Sequence, residues 1–216
     1  MAGMPDLVNQ RRPRWRFHLS GGRIFLDLAN TVSWRAGSHP IDRLRDYGDF
    51  VEWARQARLI DGREARALER NARRRPWQAT AALRRVRALR EAIYDVFTSR
   101  AGRRRPDAAA VDLLQREFRR ALRHLGLAVR ARGFALTWVT STDPLTRLLG
   151  LLARAAVDSL ISDDLTRLKV CRSPRCGWVF LDTTRSATRR WCDMKVCGNR
   201  AKAQRYYIRR SSRTAG

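Results

Sequence analysis

The chain has 216 residues, 44% of them hydrophobic, and 46 Lys+Arg against 20 Asp+Glu give it a net charge of +26. That length suits one ordinary domain plus a small one, with enough apolar content for a packed core. The nearest approach to a membrane span is the six-residue run Leu148–Ala153, far short of a bilayer-crossing helix, and residues 1–20 hold no apolar signal core. No membrane partner and a cytoplasmic location are therefore expected.

In chain order, residues 1–14 read as a basic flexible arm ending in Arg11-Arg-Pro-Arg14. Gly21–Val32 fits a strand (Ile24, Leu26, Leu28) or a helix (Phe25, Leu28, Ala29, Val32), and helix is preferred. Residues 46–58 and 61–75 read as shorter helices. Leu83, Val86, Leu89, Ile93 and Val96, with Phe97 beside them, recur at helical spacing. Val111, Leu114, Phe118, Leu122 and Leu125 repeat that spacing, with Gly126 as the expected stop; Gly102–Pro106 links the two helices.

The period then changes. Leu127, Val129 and Ala131, a turn at Arg132-Gly133, and Phe134, Leu136 and Trp138 predict a β-hairpin. Asp143-Pro144 is an N-cap followed by proline at the first helical position, opening a helix through Leu145, Leu148, Leu149, Leu152 and Ala156 to about Asp163. The fold class is mainly α (α+β): a helical domain over 15–164 with one hairpin, a small four-cysteine module over 165–211 ending in a basic helix, and a tail at 212–216.

The helical part offers no catalytic constellation. His18, His39 and His124 are isolated, and no glycine-rich phosphate loop follows a strand. No enzyme is expected. Asp27, Asn30 and Thr31 interrupt an apolar stretch. They read either as caps or a buried hydrogen-bond network, or as part of a small-molecule pocket with Trp34 or Trp138.

All four cysteines fall in one window, as Cys171-x4-Cys176 and Cys192-x4-Cys197. Four thiolates at that spacing close a tetrahedral shell around Zn²⁺, and a closed shell is structural; two disulfides or an iron–sulfur centre are the other readings. Glycine follows each second cysteine, at Gly177 and Gly198, where a knuckle often needs positive φ. Trp178–Leu181 reads as a short strand. With Trp191, it supplies the few large side chains such a module needs, because the metal replaces most of a core. The two parts are each expected to have a core of their own.

Residues 171–216 carry twelve Lys+Arg against two Asp. After Cys197 a helix is expected, with Lys202, Arg205 and Arg209 within one narrow arc and Arg200 and Arg210 nearby. Arg185, Arg189 and Arg190 thicken the patch. A basic stripe leaving a zinc site is the geometry of a nucleic-acid contact, with double-stranded DNA the expected partner. Single-finger recognition is poor in base contacts, so a homodimer or the arm would add specificity.

The run Cys171…Cys176-Gly-Trp-Val-Phe-Leu-Asp, then Arg189-Arg-Trp-Cys192…Cys197-Gly-Asn-Arg200-Ala-Lys202, resembles the CGNR zinc-finger family. Leu26-Asp-Leu-Ala-Asn-Thr31 is similar to the opening motif of the ABATE domain, and Trp53 and Trp138…Asp143-Pro144 agree. The resemblance implies a bacterial stress-responsive transcription regulator. Its finger would bind DNA with Cys171, Cys176, Cys192 and Cys197 as Zn²⁺ ligands, and its helical domain would sense an effector. The rival readings are an RNA- or ribosome-associated zinc protein, and an enzyme with an accessory finger.

Overall fold

A computed structural model describes residues 14–162 and 165–214. The arm expected over 1–14 therefore lies outside the described residues, apart from Arg14. Seven helices are seen among the described residues: α1 Ile24–Ala29, α2 Tyr47–Gln56, α3 Gly62–Arg74, α4 Pro76–Ala101, α5 Ala108–Leu122, α6 Pro144–Ser162 and α7 Asn199–Thr214. Three antiparallel pairs join them: β1 Val32–Ser33 with β2 Ile41–Asp42, β3 Leu125–Arg130 with β4 Gly133–Trp138, and β5 Leu168–Val170 with β6 Val179–Leu181. No helix of the described residues is long and apolar enough to cross a membrane.

Local chemistry sets the helix starts. Asp46, Asp61, Asp107 and Asp143 each accept a backbone N–H of the turn they open. At Asp61 the Glu64 side chain accepts the Asp61 N–H in return, a full capping box. Proline begins both α4 and α6, where its missing donor costs nothing.

The ambiguous segment is a helix, and its ambiguity has a cause. α1 runs through the middle of the fold with Phe25, Leu26, Asp27, Leu28 and Ala29 all buried, so no polar face marks the period. It packs on α4 and α6, and the Phe25 and Phe97 ring centroids are 4.7 Å apart. The regular stripe of α4 is buried as expected, from Leu83 through Phe97.

The helix expected as far as Leu125 is shorter. α5 stops at Leu122, and Leu125 pairs with Trp138 at the root of the hairpin, so Gly126 lies in a strand and is no helix stop. The buried face of α5 is Leu114, Glu117 and Ala121, leaving Val111 and Leu122 exposed. Arg85 forms a two-point ion pair with the buried Glu117 carboxylate, at 2.6 and 2.8 Å, which satisfies that carboxylate on the buried face.

The core does not stop at the last helix of the N-terminal part. Leu168, Val179 and Leu181 of β5 and β6 belong to the same apolar cluster as the α1, α4 and α6 side chains. The C-terminal module therefore shares its hairpin with the main core. What it keeps for itself is a small cluster of the four cysteines with Phe180, flanked by Trp178 and Trp191.

Candidate metal centre

Backbone hydrogen bonds place three of the four cysteines. The Cys171 N–H donates to Trp178 O at 2.8 Å, which folds the first knuckle back onto its strand, and the Cys176 N–H closes a turn on Ser173 O at 3.0 Å. Asp193 caps the second knuckle: its side chain accepts the Val196 N–H at 3.0 Å and its carbonyl accepts the Cys197 N–H at 2.9 Å. Met194–Gly198 forms a single wide π-type turn leading straight into α7.

The four Sγ atoms lie within 4.8 Å of one another and all four residues are buried. Cys176–Cys192 and Cys192–Cys197 are each 3.6 Å apart, and all four thiols are free. Tetrahedral zinc–sulfur bonds of about 2.3 Å place sulfurs about 3.8 Å apart. The cage therefore has the size of a metal shell, and the disulfide reading is excluded. Contact with neighbouring sulfurs, Cys171 foremost, and then burial push the Cys176 and Cys192 thiols up. A central dication removes that penalty by holding all four as thiolates. The four cysteines cluster to hold a metal ion, and the donor set is that of Zn²⁺. Among the described residues no other group of three or more His, Cys, Asp or Glu gathers in this way.

The two glycines differ. Gly177 has φ +67, and a Cβ there would come within 3.0 Å of Ala36 N, so both backbone and space require glycine. Gly198 has no positive φ. It ends the π turn against Met194 and Trp191, so the requirement there is room rather than conformation.

A dense set of hydrogen bonds fastens this centre to the helical part. The Asn30 side-chain amide donates to Val179 O at 2.8 Å and accepts the Val179 N–H at 3.1 Å, acting as a third strand one residue long. Trp178 Nε1 donates to Val32 O at 2.7 Å, Tyr94 Oη to Gly177 O at 2.9 Å, and the Arg35 N–H to Cys176 O at 3.1 Å. The Leu181 N–H donates to Gly21 O at 2.8 Å. Asp27 accepts the Gly21 N–H at 2.8 Å, and burial raises its pKa to about 6. Thr31 Oγ1 donates to Leu28 O at 2.8 Å.

Asp27, Asn30 and Thr31 thus hold the backbone together, and none of them lines the cleft beside the cysteines. Trp34 does line it. This tryptophan sits at φ 57, and the guanidinium groups of Arg200 and Arg175 lie over its ring at 4.2 and 4.7 Å. With Arg43, Trp178, Val196 and three of the cage cysteines, Cys176, Cys192 and Cys197, it bounds a cavity of about 160 Å³, so that volume includes space at the metal cage. Trp138 belongs elsewhere: it packs on Gly150 of α6 and does not meet Trp34.

Of the basic residues singled out in the sequence, Arg189 turns inward. Its guanidinium donates to Ser20 O at 2.8 Å, to Trp191 O at 2.9 Å and to Cys192 O, and it lies 4.4 Å over the Phe180 ring. Its donors close the module, so it is a clamp and not a free phosphate contact. Arg185, Arg190, Arg200 and Lys202 are exposed, and among the described residues none has a carboxylate partner. Arg210 is exposed at the far end of α7, while the side chains of Arg205 and Arg209 lie outside what is described.

Sequence reasoning missed Asp182. Fully buried, it accepts from Lys169 Nζ at 2.7 Å, Thr184 Oγ1 at 2.6 Å and the Arg189 N–H at 2.8 Å. Burial alone would raise its pKa; these bonds outweigh it and hold the carboxyl well below the usual range. An aspartate closing an apolar strand just before a Thr-Thr-Arg loop was the available signal.

The family model described as putative stress-induced transcription regulator, ABATE, matches residues 22–163. The chain belongs to the ABATE family. The model of the CGNR zinc finger matches residues 167–210, the span that contains β5, β6, the cysteine cage and most of α7. The ABATE opening motif, Leu26–Thr31, is therefore the seat on which the CGNR finger docks. No curated protein matches the chain.

Proposed function

We propose that this ABATE protein is a transcription regulator that binds double-stranded DNA through its zinc finger. The carrying observation is the surface around α7. Residues 183–214 hold ten Lys+Arg and a single acid, Asp193, which is occupied capping the second knuckle. Arg185, Arg190, Arg200 and Lys202 are exposed and, among the described residues, have no carboxylate partner, on a scaffold that zinc makes rigid. Exposed cations carried on a rigid scaffold suit a phosphate backbone, because phosphates are neutralised with little reordering of the chain.

The effector site of this reading is the part of that cavity outside the sulfur cage, bounded by Trp34, Arg43 and Trp178. It lies against Arg200 in the first turn of α7, so an occupant there would touch the binding helix directly.

The test is fluorescence anisotropy with duplex DNA over a salt titration, at matched protein and zinc. Affinity falls with a slope of about −0.9 per phosphate neutralised, and replacing Arg190 and Lys202 together with alanine flattens the slope by about two while zinc is retained. Equal binding by parent and double variant at every salt concentration overturns the surface assignment. Structured RNA bound more tightly than duplex DNA at matched salt overturns the choice of DNA.

A further inference from the structure

The β3–β4 hairpin is built inside out. Leu127 pairs across the strands with Leu136, and Val129 with Phe134, so these four side chains stand on one face. That face is in water: Leu127 is 69% exposed, Val129 77%, Phe134 70% and Leu136 52%. Ala128 and Ala135, on the opposite face, are the half-buried ones. Sheets put large apolar residues inward and small or polar ones outward, and here the order is reversed.

The hairpin is held mainly at its root. Trp138 wedges against α6, so close that a Cβ on Gly150 would come within 2.6 Å of its ring. Beyond the root, the strands pair with each other and are absent from the apolar core. A two-stranded hairpin is marginal in water and becomes stable when something covers its apolar face. No described residue of this chain covers it.

We propose that a second copy of the chain does, the two hairpins packing face to face about a two-fold axis. Two observations select that occupant. The first is charge. In a chain of net charge +26, most faces of two copies repel. Residues 124–129 and 133–142, however, contain no Asp, Glu, Lys or Arg; Arg130, paired with Gly133, alternates to the opposite face, and Arg132 lies in the turn beyond the strands. Along the four apolar side chains two copies approach without opposing guanidinium groups. The second is area. The four side chains expose on the order of 500 Å² of apolar surface, so a self-complementary pair buries about 1,000 Å² before any rim is counted, the lower bound of a specific interface. An isologous contact needs one patch that matches itself, and a row of cross-strand Leu–Leu and Val–Phe pairs does so. The surface is separate from α7 and from the zinc cage, so the inference stands whether or not the chain binds DNA.

Sedimentation velocity on the full zinc-loaded protein, at micromolar concentrations and raised salt, tests it. The expected species has twice the 25.0 kDa chain mass. Val129→Lys with Phe134→Lys changes two side chains that touch water already, so the far-UV spectrum and zinc content stay those of the parent. The dimer dissociation constant rises by about a hundredfold or more, because burying the new ammonium groups opposes association. A parent that is monomeric throughout overturns the inference, as does a dimer that the double variant leaves intact. So does a monomer that co-sediments with phosphatidylcholine vesicles through this face.

Discussion

Asn30→Ala removes the two hydrogen bonds by which α1 holds the zinc hairpin, at 2.8 and 3.1 Å, both to Val179. Alanine leaves the Val179 N–H and C=O in a buried place with no protein partner. Each unsatisfied group costs about 1–3 kcal/mol, so the expected loss is roughly 2–6 kcal/mol, large against the total stability of a domain of this size. The effect should extend to the metal. Val179 lies eight residues from Cys171 and three from Cys176, in the strand whose neighbour Trp178 receives the Cys171 N–H. Loosening that strand loosens the first knuckle. Two assays on one preparation check this: denaturant unfolding for the loss of stability, and the rate of zinc transfer to a chromogenic chelator for the cage. The variant should unfold at lower denaturant and release zinc faster. A loss below about 1 kcal/mol with an unchanged release rate would refute the reasoning, since the finger would then hold without α1.

The other expectations follow from the same contacts. Elemental analysis should find close to one zinc per chain, and chelation should lower the melting temperature of the helical part too, because Leu168, Val179 and Leu181 sit in its core; an unmoved helical transition counts against a shared core. Asp27 has its carboxyl pKa raised from 3.8 to about 6 by burial. The unfolded chain then ionises first, so stability falls as pH rises from about 4 to 6 and stays low above that. Asp27→Asn should remove that slope and gain up to about 3 kcal/mol at pH 7 relative to pH 4, and parallel pH profiles for the two proteins would contradict it. Gly150→Ala should cost about 1–3 kcal/mol by overpacking. The new methyl would meet Trp138 at 2.6 Å and Ala121 at 2.9 Å, and calorimetry showing no loss would mean the root of the hairpin yields freely.

Much of the architecture was already written in local chemistry. The four cysteines at matched spacing announced a metal cage, and only their approach to within 4.8 Å was left for the structure to supply. The α4 stripe, the aspartate caps and the hairpin are legible because each depends on residues a few positions apart. What tertiary structure alone decided depends on partners far along the chain. Asn30 meets Val179 across 149 positions, and Arg189 meets Ser20 across 169, so no window of sequence shows one as a strand mimic or the other as a clamp. The buried face of α5 includes Glu117, whose partner Arg85 lies on another helix 32 positions away. The exposed side of the hairpin is the sharpest case. Alternation predicts two faces, one large and one small, but which of them meets the protein depends on what the rest of the chain packs against it, and here the other described residues leave the large face bare.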